Sequence, residues 1–498
     1  MRIILLFSVF IIATCGLIYE LIAGALASYL LGDSITQFST VIGVYLSAMG
    51  IGSYLSKYVE KNLMHTFIQI ELLIGLIGGC SAALLFLSFE FLSGFQVLLY
   101  SLVGIIGILV GLEIPLMMRI MKNHYEFKDL VSNVFTFDYI GALMASLLFP
   151  LFLVPYLGLT RSAFLFGGLN VLVGGAAIYF FKDQLVNSIK LRSQALIIFL
   201  FLMGGFLFSN EITSLAESAT YENKIIFTKS SPYQRIVLTR NSDDLRLFLN
   251  GNLQFSSQDE YRYHETLVHP GLSRILSPKK ILVLGGGDGL AVREILKYPT
   301  VEKITLVDLD PSITTLFQTH PILTTLNQES LNSPKVTVIN ADAYQWLKKS
   351  NQTYDFIVID FPDPSNFSIG KLYSNSFFRL LFNALQENGA AVVQSTSPYV
   401  ARQSFWCVAH TLESVGFIIN PYHTHVPSFG DWGFVLASKT PLSASVVLPE
   451  RLRYLSKEIM ASLFTFSSDM DEIPTEINRL NNQTLVRYFE DEWSKYLR

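Results

Sequence analysis

Two carboxylates in Asp360-Phe361-Pro362-Asp363-Pro364 stand three residues apart in a stretch stiffened by prolines. One such group can accept a proton from an attacking amine while the other fixes an ammonium at the far end of the same molecule. General-base help of this kind is worth about 10²–10⁴ in rate, and positioning the nucleophile adds to it. An acidic turn capped by prolines is the plainer alternative. Upstream, Gly285-Gly286-Gly287-Asp288-Gly289 follows an apolar run, and its glycines let the backbone approach a ligand closely. Asp308 comes about 20 residues further on, where a carboxylate can bind both ribose hydroxyls. Asp342 follows a third apolar run, near the expected adenine edge. A G-x-G-x-x-G dinucleotide fingerprint fails, because its last position is Leu290 counted from Gly285 and Val292 counted from Gly287. Glycine loop, ribose acid and adenine acid without a pyrophosphate cradle suit an S-adenosyl sulfonium compound.

Positioning these residues requires a sheet. Residues 281–284, 304–307, 336–339, 356–359 and 391–394 read as strands separated by helical stretches. That rhythm predicts a Rossmann-like α/β domain with a doubly wound, mostly parallel sheet, which binds ligands at the carboxyl ends of its strands. Before it, 233–238 and 245–249, the latter followed by Asn250-Gly251, read as β-hairpins.

The composition divides the chain in two. Of 498 residues, 51% are hydrophobic and 15% charged. Residues 1–210 hold 10 Lys and Arg and 10 Asp and Glu, whereas 211–498 hold 26 and 30, a net charge of −4. That mild acidity excludes nucleic acid as a partner, since phosphate binding needs a basic face. Cys15, Cys80 and Cys407 lie too far apart for a metal-ligand spacing, and no metal site or disulfide framework is expected.

Apolar runs at 3–30, 36–56, 66–88, 92–118, 134–154, 160–181 and 194–210 are about 20 residues long, the length that crosses a bilayer. They predict a multi-pass helical domain of about seven helices in the cell (inner) membrane. The first run outlasts the apolar core of a signal peptide and is read as a span. Glu20, Glu113 and Asp138 fall inside the runs beside glycines or a proline and form a possible intramembrane cation site. Glu71 is placed near a helix end, with no such role. Nine Lys and Arg on the N-terminal side against three on the other put the N-terminus in the cytoplasm and the C-terminal half outside. An adenosyl donor made in the cytoplasm argues the opposite side. The domains expected are therefore a transmembrane bundle at 1–210, a β-strand subdomain at 221–275, a Rossmann-like catalytic domain of the methyltransferase type at 276–440 and a helical tail at 441–498.

Read together, the soluble half resembles spermidine synthase and the wider polyamine aminopropyltransferase family. The resemblance rests on Tyr233-Gln234, Asn250-Gly251-Asn252-Leu253-Gln254, Asp259-Glu260, Tyr263-His264-Glu265, the glycine loop, Asp342-Ala343, residues 354–364 and Leu372-Tyr373, in family order. The apolar half resembles the membrane-embedded bacterial branch at Tyr19-Glu20-Leu21, Gly32-Asp33-Ser34 and Gly111-Leu112-Glu113-Ile114-Pro115. The resemblance implies aminopropyl transfer from decarboxylated S-adenosylmethionine, a co-substrate rather than a prosthetic group, to a diamine such as putrescine. It implies Asp360 as catalytic base and Asp363, Tyr263, His264 and Gln234 at the diamine. Donor binding falls to Gln254, Gly285, Gly287, Asp288, Asp308 and Asp342. The partners expected are the polyamine, the adenosyl donor, the lipid bilayer and a second copy in a homodimer. The chain departs from the family in having Asp308 where glutamate is common. It also lacks the family's tyrosine in Val426-Pro427-Ser428-Phe429-Gly430-Asp431-Trp432. A methyltransferase-like enzyme with another acceptor, or a polyamine transporter or sensor with a non-catalytic synthase-like domain, are the competing readings.

Overall fold

In a computed structural model the chain is described except for residues 1, 32–33, 90–93, 123–124, 183–184, 186, 214–220, 222 and 497–498. Gly32 and Asp33 of the first-half motif lie outside the described residues. Two compact units result, Met1–Lys224 and Ile225–Arg498.

The first unit is helical: α1 (Arg2–Leu31), α2 (Ser34–Leu55), α3 (Leu63–Phe89), α4 (Phe95–Met121), α5 (Phe127–Leu148), α6 (Gly158–Phe180) and α7 (Ser188–Leu207). Among the described residues, length and composition give six stretches able to cross a membrane. The runs expected at 134–154 and 160–181 merge into one apolar stretch, Phe127–Phe180. Within it, the π-helical turn Phe149–Leu157 and Gly158, at φ 75°, separate α5 from α6. Small residues let α2 and α4 cross closely, because a Cβ on Gly52 would collide with the Ile108 carbonyl and one on Gly111 with Met49. Large apolar side chains such as Leu46, Ile51, Phe152, Leu200 and Phe201 face outward.

The second unit begins with an antiparallel sheet, β1 (Lys224–Ser230), β2 (Arg235–Asn241), β3 (Asp244–Leu249) and β4 (Asn252–Ser256), in sequence order. Asn250 and Gly251, both at positive φ, make the two-residue turn between β3 and β4. Helix α8 (Glu260–Leu272) leads to a seven-stranded sheet of β5 (Lys280–Gly285), β6 (Lys303–Asp308), β7 (Val336–Asn340), β8 (Tyr354–Asp360), β9 (Leu385–Gln394), β10 (Ile418–Val426) and β11 (Gly430–Ser438). The strand order is β10-β11-β9-β8-β5-β6-β7.

Five strands pair in parallel, and β11 and β10 close the edge antiparallel, so the sheet is mixed. Ile281 and Val283 of β5 enter one core and Leu282 and Leu284 the other. Burial on both faces is why the parallel strands read as unbroken apolar runs rather than alternating ones. The tail holds two helices, Lys457–Ser462 and Thr484–Tyr496, with irregular chain over 463–483.

Candidate active site

The strand order reverses between β5 and β8, which makes that gap the expected ligand crevice. Gly285 pairs with Asp360 across it. Gly285 and Gly286 sit at φ 81° and 61°, and a Cβ on Gly285 would collide with the Asp360 carbonyl oxygen. Only glycine lets the loop fold over the end of β8, where Gly286 N donates to Asp360 O at 3.2 Å. The Asp360 carboxylate accepts a 2.6 Å hydrogen bond from Tyr263 Oη, which α8 supplies. Burial lifts Asp360 to about 6, with His264 pulling it down and Asp288 pushing it up.

Three residues on, Asp363 is held separately. Its Oδ1 accepts from Gln394 Nε2 at 3.1 Å and its Oδ2 from Thr396 Oγ1 at 3.4 Å. Burial outweighs both bonds and raises Asp363 to about 6. Gln394 is itself fixed, donating to the Phe361 carbonyl at 2.7 Å and accepting from Trp432 Nε1 at 3.2 Å.

On the other side of β5, Asp308 accepts from Gly287 N at 3.1 Å and Asp310 N at 2.8 Å. Burial still raises it to about 6. Asp288 caps the loop by accepting from Leu290 N at 2.8 Å, and burial raises it as well. Asp342 caps its helix through Gln345 N at 2.9 Å and pairs with Lys371 at 2.8 Å. Lys371 and the cap outweigh burial and hold Asp342 below its ordinary value.

Two expected residues bond elsewhere. Gln234 Nε2 donates to Asp310 Oδ2 at 3.0 Å, which anchors the β1–β2 turn. Gln254, half-buried on β4, donates to the Asn252 carbonyl at 3.1 Å, and among the described residues it makes no bond to the strand-end carboxylates.

This constellation can be set beside known proteins. A family model described as spermine/spermidine synthase domain matches residues 260–447. The polyamine aminopropyltransferase of Leptospira interrogans is 54% identical over 497 residues, covering 100% of both chains. The polyamine aminopropyltransferase 2 of Ralstonia nicotianae is 52% identical over 504 residues, covering 99% of each. This chain belongs to the polyamine aminopropyltransferase family. A crystal structure of spermidine synthase in complex with the transition-state analogue AdoDATO aligns to 49% of this chain and 86% of its own, at 26% identity and a TM-score of 0.47.

Beyond the motif residues, this aminopropyltransferase carries a buried ion chain behind its crevice. His264 Nδ1 lies 2.9 Å from Glu260 Oε2. Glu260 in turn takes Arg293 Nη1 and Nη2 at 2.8 and 2.9 Å. Arg293 also donates to Glu294, which meets His269 and Lys297. Burial alone would raise Glu260 and Glu294. The histidines and Arg293 override it and hold both at about 2. The Glu260 bond outweighs burial at His264 and raises its imidazole, with Asp288 and Asp360 acting in the same direction.

Several contributors carry no motif signal of their own. Gln394 ends β9 and Thr396 follows it, and Phe429 and Trp432 stand where the family tyrosine is missing, with Phe429 edge-on to Tyr263. Asp259 explains their placement, because its carboxylate takes both Ser428 N at 2.7 Å and Ser428 Oγ at 2.9 Å. One further rule could have found Gln394 and Thr396: they lie at the carboxyl end of a parallel strand.

Proposed function

We propose that the chain transfers the aminopropyl group of decarboxylated S-adenosylmethionine to a diamine of putrescine's class, giving spermidine and 5′-methylthioadenosine. The observation that carries the diamine is the separation of two carboxylates at the end of β8. Asp360 sits with Tyr263 and the glycine loop, while Asp363 sits three residues away on Gln394 and Thr396. In the reaction the acceptor nitrogen's lone pair attacks the aminopropyl carbon bound to sulfur. That carbon–sulfur bond breaks with its electrons going to sulfur, and the neutral thioether leaves. The proton lost by the nitrogen passes to Asp360.

Asp363 binds the second ammonium, with Tyr263 flanking the amine. Asp288 faces the donor's own amine, where a carboxylate repels the extra carboxylate of ordinary S-adenosylmethionine and so disfavours methyl transfer. Asp308 and Asp342 hold the nucleoside, assisted by Gln254. Gln234 supports them at one remove through Asp310. The outward apolar side chains and the length of the helices support seating of the bundle in the cell membrane.

Kinetics with paired acceptors test the role of Asp363. Putrescine should exceed butylamine in kcat/KM by at least about 10²-fold, the loss expected when a charged partner is left unpaired. Asp363→Asn should erase most of that preference by raising KM for putrescine. Equal use of the two amines by the wild type would remove the second carboxylate from the acceptor site.

A further inference from the structure

Glu71, placed by its sequence context near a helix end, lies well inside α3 and is 0% exposed. Glu113 of α4 is 1% exposed, and the two carboxyl groups act on each other. Asp138 of α5 acts electrostatically on Glu113, and Glu20 and Glu113 both act on Tyr45. Glu71 joins Glu113 in a place that its sequence context did not suggest.

The surrounding donors are already committed. Asn170 of α6 gives its amide to Glu71 Oε2 at 2.9 Å and accepts from Tyr19 Oη of α1 at 3.2 Å. Tyr45 of α2 donates to the Gly16 carbonyl at 2.8 Å, and the Cys15 thiol of α1 points to the Phe166 carbonyl at 3.7 Å. Among the described residues no N–H or O–H of a neighbour reaches Glu71 Oε1 or either oxygen of Glu113. The groups acting electrostatically on the pair are Cys15, Tyr19, Tyr45 and Asp138, none of them cationic. Two facing carboxylates without a counterion are strongly disfavoured in so closed a place. The three unpartnered oxygens are shut off from anything the size of water, which leaves no room beside them for an ammonium group or a hydrated ion. A proton does.

We propose that Glu71 and Glu113 form a proton-binding site at the crossing of α3 and α4, with Glu113 carrying the proton and donating it to Glu71 Oε1. Asn170 fixes the direction of the bond, because it already engages Glu71 as an acceptor. Losing the proton sets two like charges against each other across the helix contact and loosens it. The site thereby couples proton release to the packing of the bundle.

Infrared spectroscopy of the purified full-length protein in lipid nanodiscs reads this directly. The wild type should show a protonated-carboxyl carbonyl band that shifts in heavy water and is missing from Glu113→Gln. In Glu71→Gln, whose amide can donate to Glu113, that band should titrate away at lower pH than in the wild type. This second variant keeps the test open should Glu113→Gln fail to fold. Excess spermidine should leave the wild-type band unchanged. A band unaltered in both variants would overturn the assignment. So would its loss on adding spermidine, which would make an amine the occupant.

Discussion

Asp360→Asn should lower kcat by about 10²–10⁴ while the KM for either substrate stays nearly unchanged. The amide keeps the side chain's shape and can still accept the Tyr263 hydrogen bond, so what is lost is proton acceptance. The pH profile supplies an independent readout. The Asp360 carboxyl is raised to about 6 by burial, and only its ionised form can act as a base. Wild-type kcat/KM should therefore fall as pH drops through about 6, and the residual turnover of the variant should lack the part of that limb due to Asp360. Full turnover by Asp360→Asn would assign the base elsewhere.

The second large effect is on stability. Arg293→Met should destabilise the catalytic unit by about 3–5 kcal/mol, because it leaves Glu260 buried opposite His264 alone. For a unit of this size the thermal midpoint should fall by about 6–20 °C. All four tryptophans, Trp346, Trp406, Trp432 and Trp493, lie in that unit, so their fluorescence follows its unfolding in the intact protein. Combining Glu260→Gln with Arg293→Met should restore part of the loss, since the stranded charge is then removed as well. The acid side has a defined sign. Glu260 and Glu294 are held at about 2, below the ordinary glutamate value. Their contribution is present above that ordinary value and disappears as pH falls toward 2. A midpoint unchanged by Arg293→Met would show that the ion chain contributes little to stability.

What could be read from the residues follows from which forces leave a local trace. The parallel strands announce themselves because both of their faces are buried, and their last residues carry Gly285, Asp308 and Asp360. The hairpin turn at Asn250 and Gly251 is legible because its geometry selects those residue types. The antiparallel strands β10 and β11 left a weaker trace, as residues such as Asn420, His423 and Thr424 interrupt any apolar run. Long-range partnerships left none. Nothing near Glu260 in the chain points to Arg293, which is 33 residues away, and nothing near Asp342 points to Lys371. The helix ends misled at Glu71, because the start of an apolar run does not coincide with the start of its helix. Gln234 matched a family motif yet bonds to Asp310, since a motif fixes residue type and leaves the distance to the reacting atoms open.

Product identification tests the reaction itself most directly. Purified full-length protein would be given decarboxylated S-adenosylmethionine and putrescine, and the mixture resolved by mass spectrometry over a single turnover. Spermidine and 5′-methylthioadenosine should form in equal amounts, with neither formed when ordinary S-adenosylmethionine replaces the decarboxylated donor. A methylated amine, or bound nucleoside left unconverted beside unreacted putrescine, would contradict aminopropyl transfer.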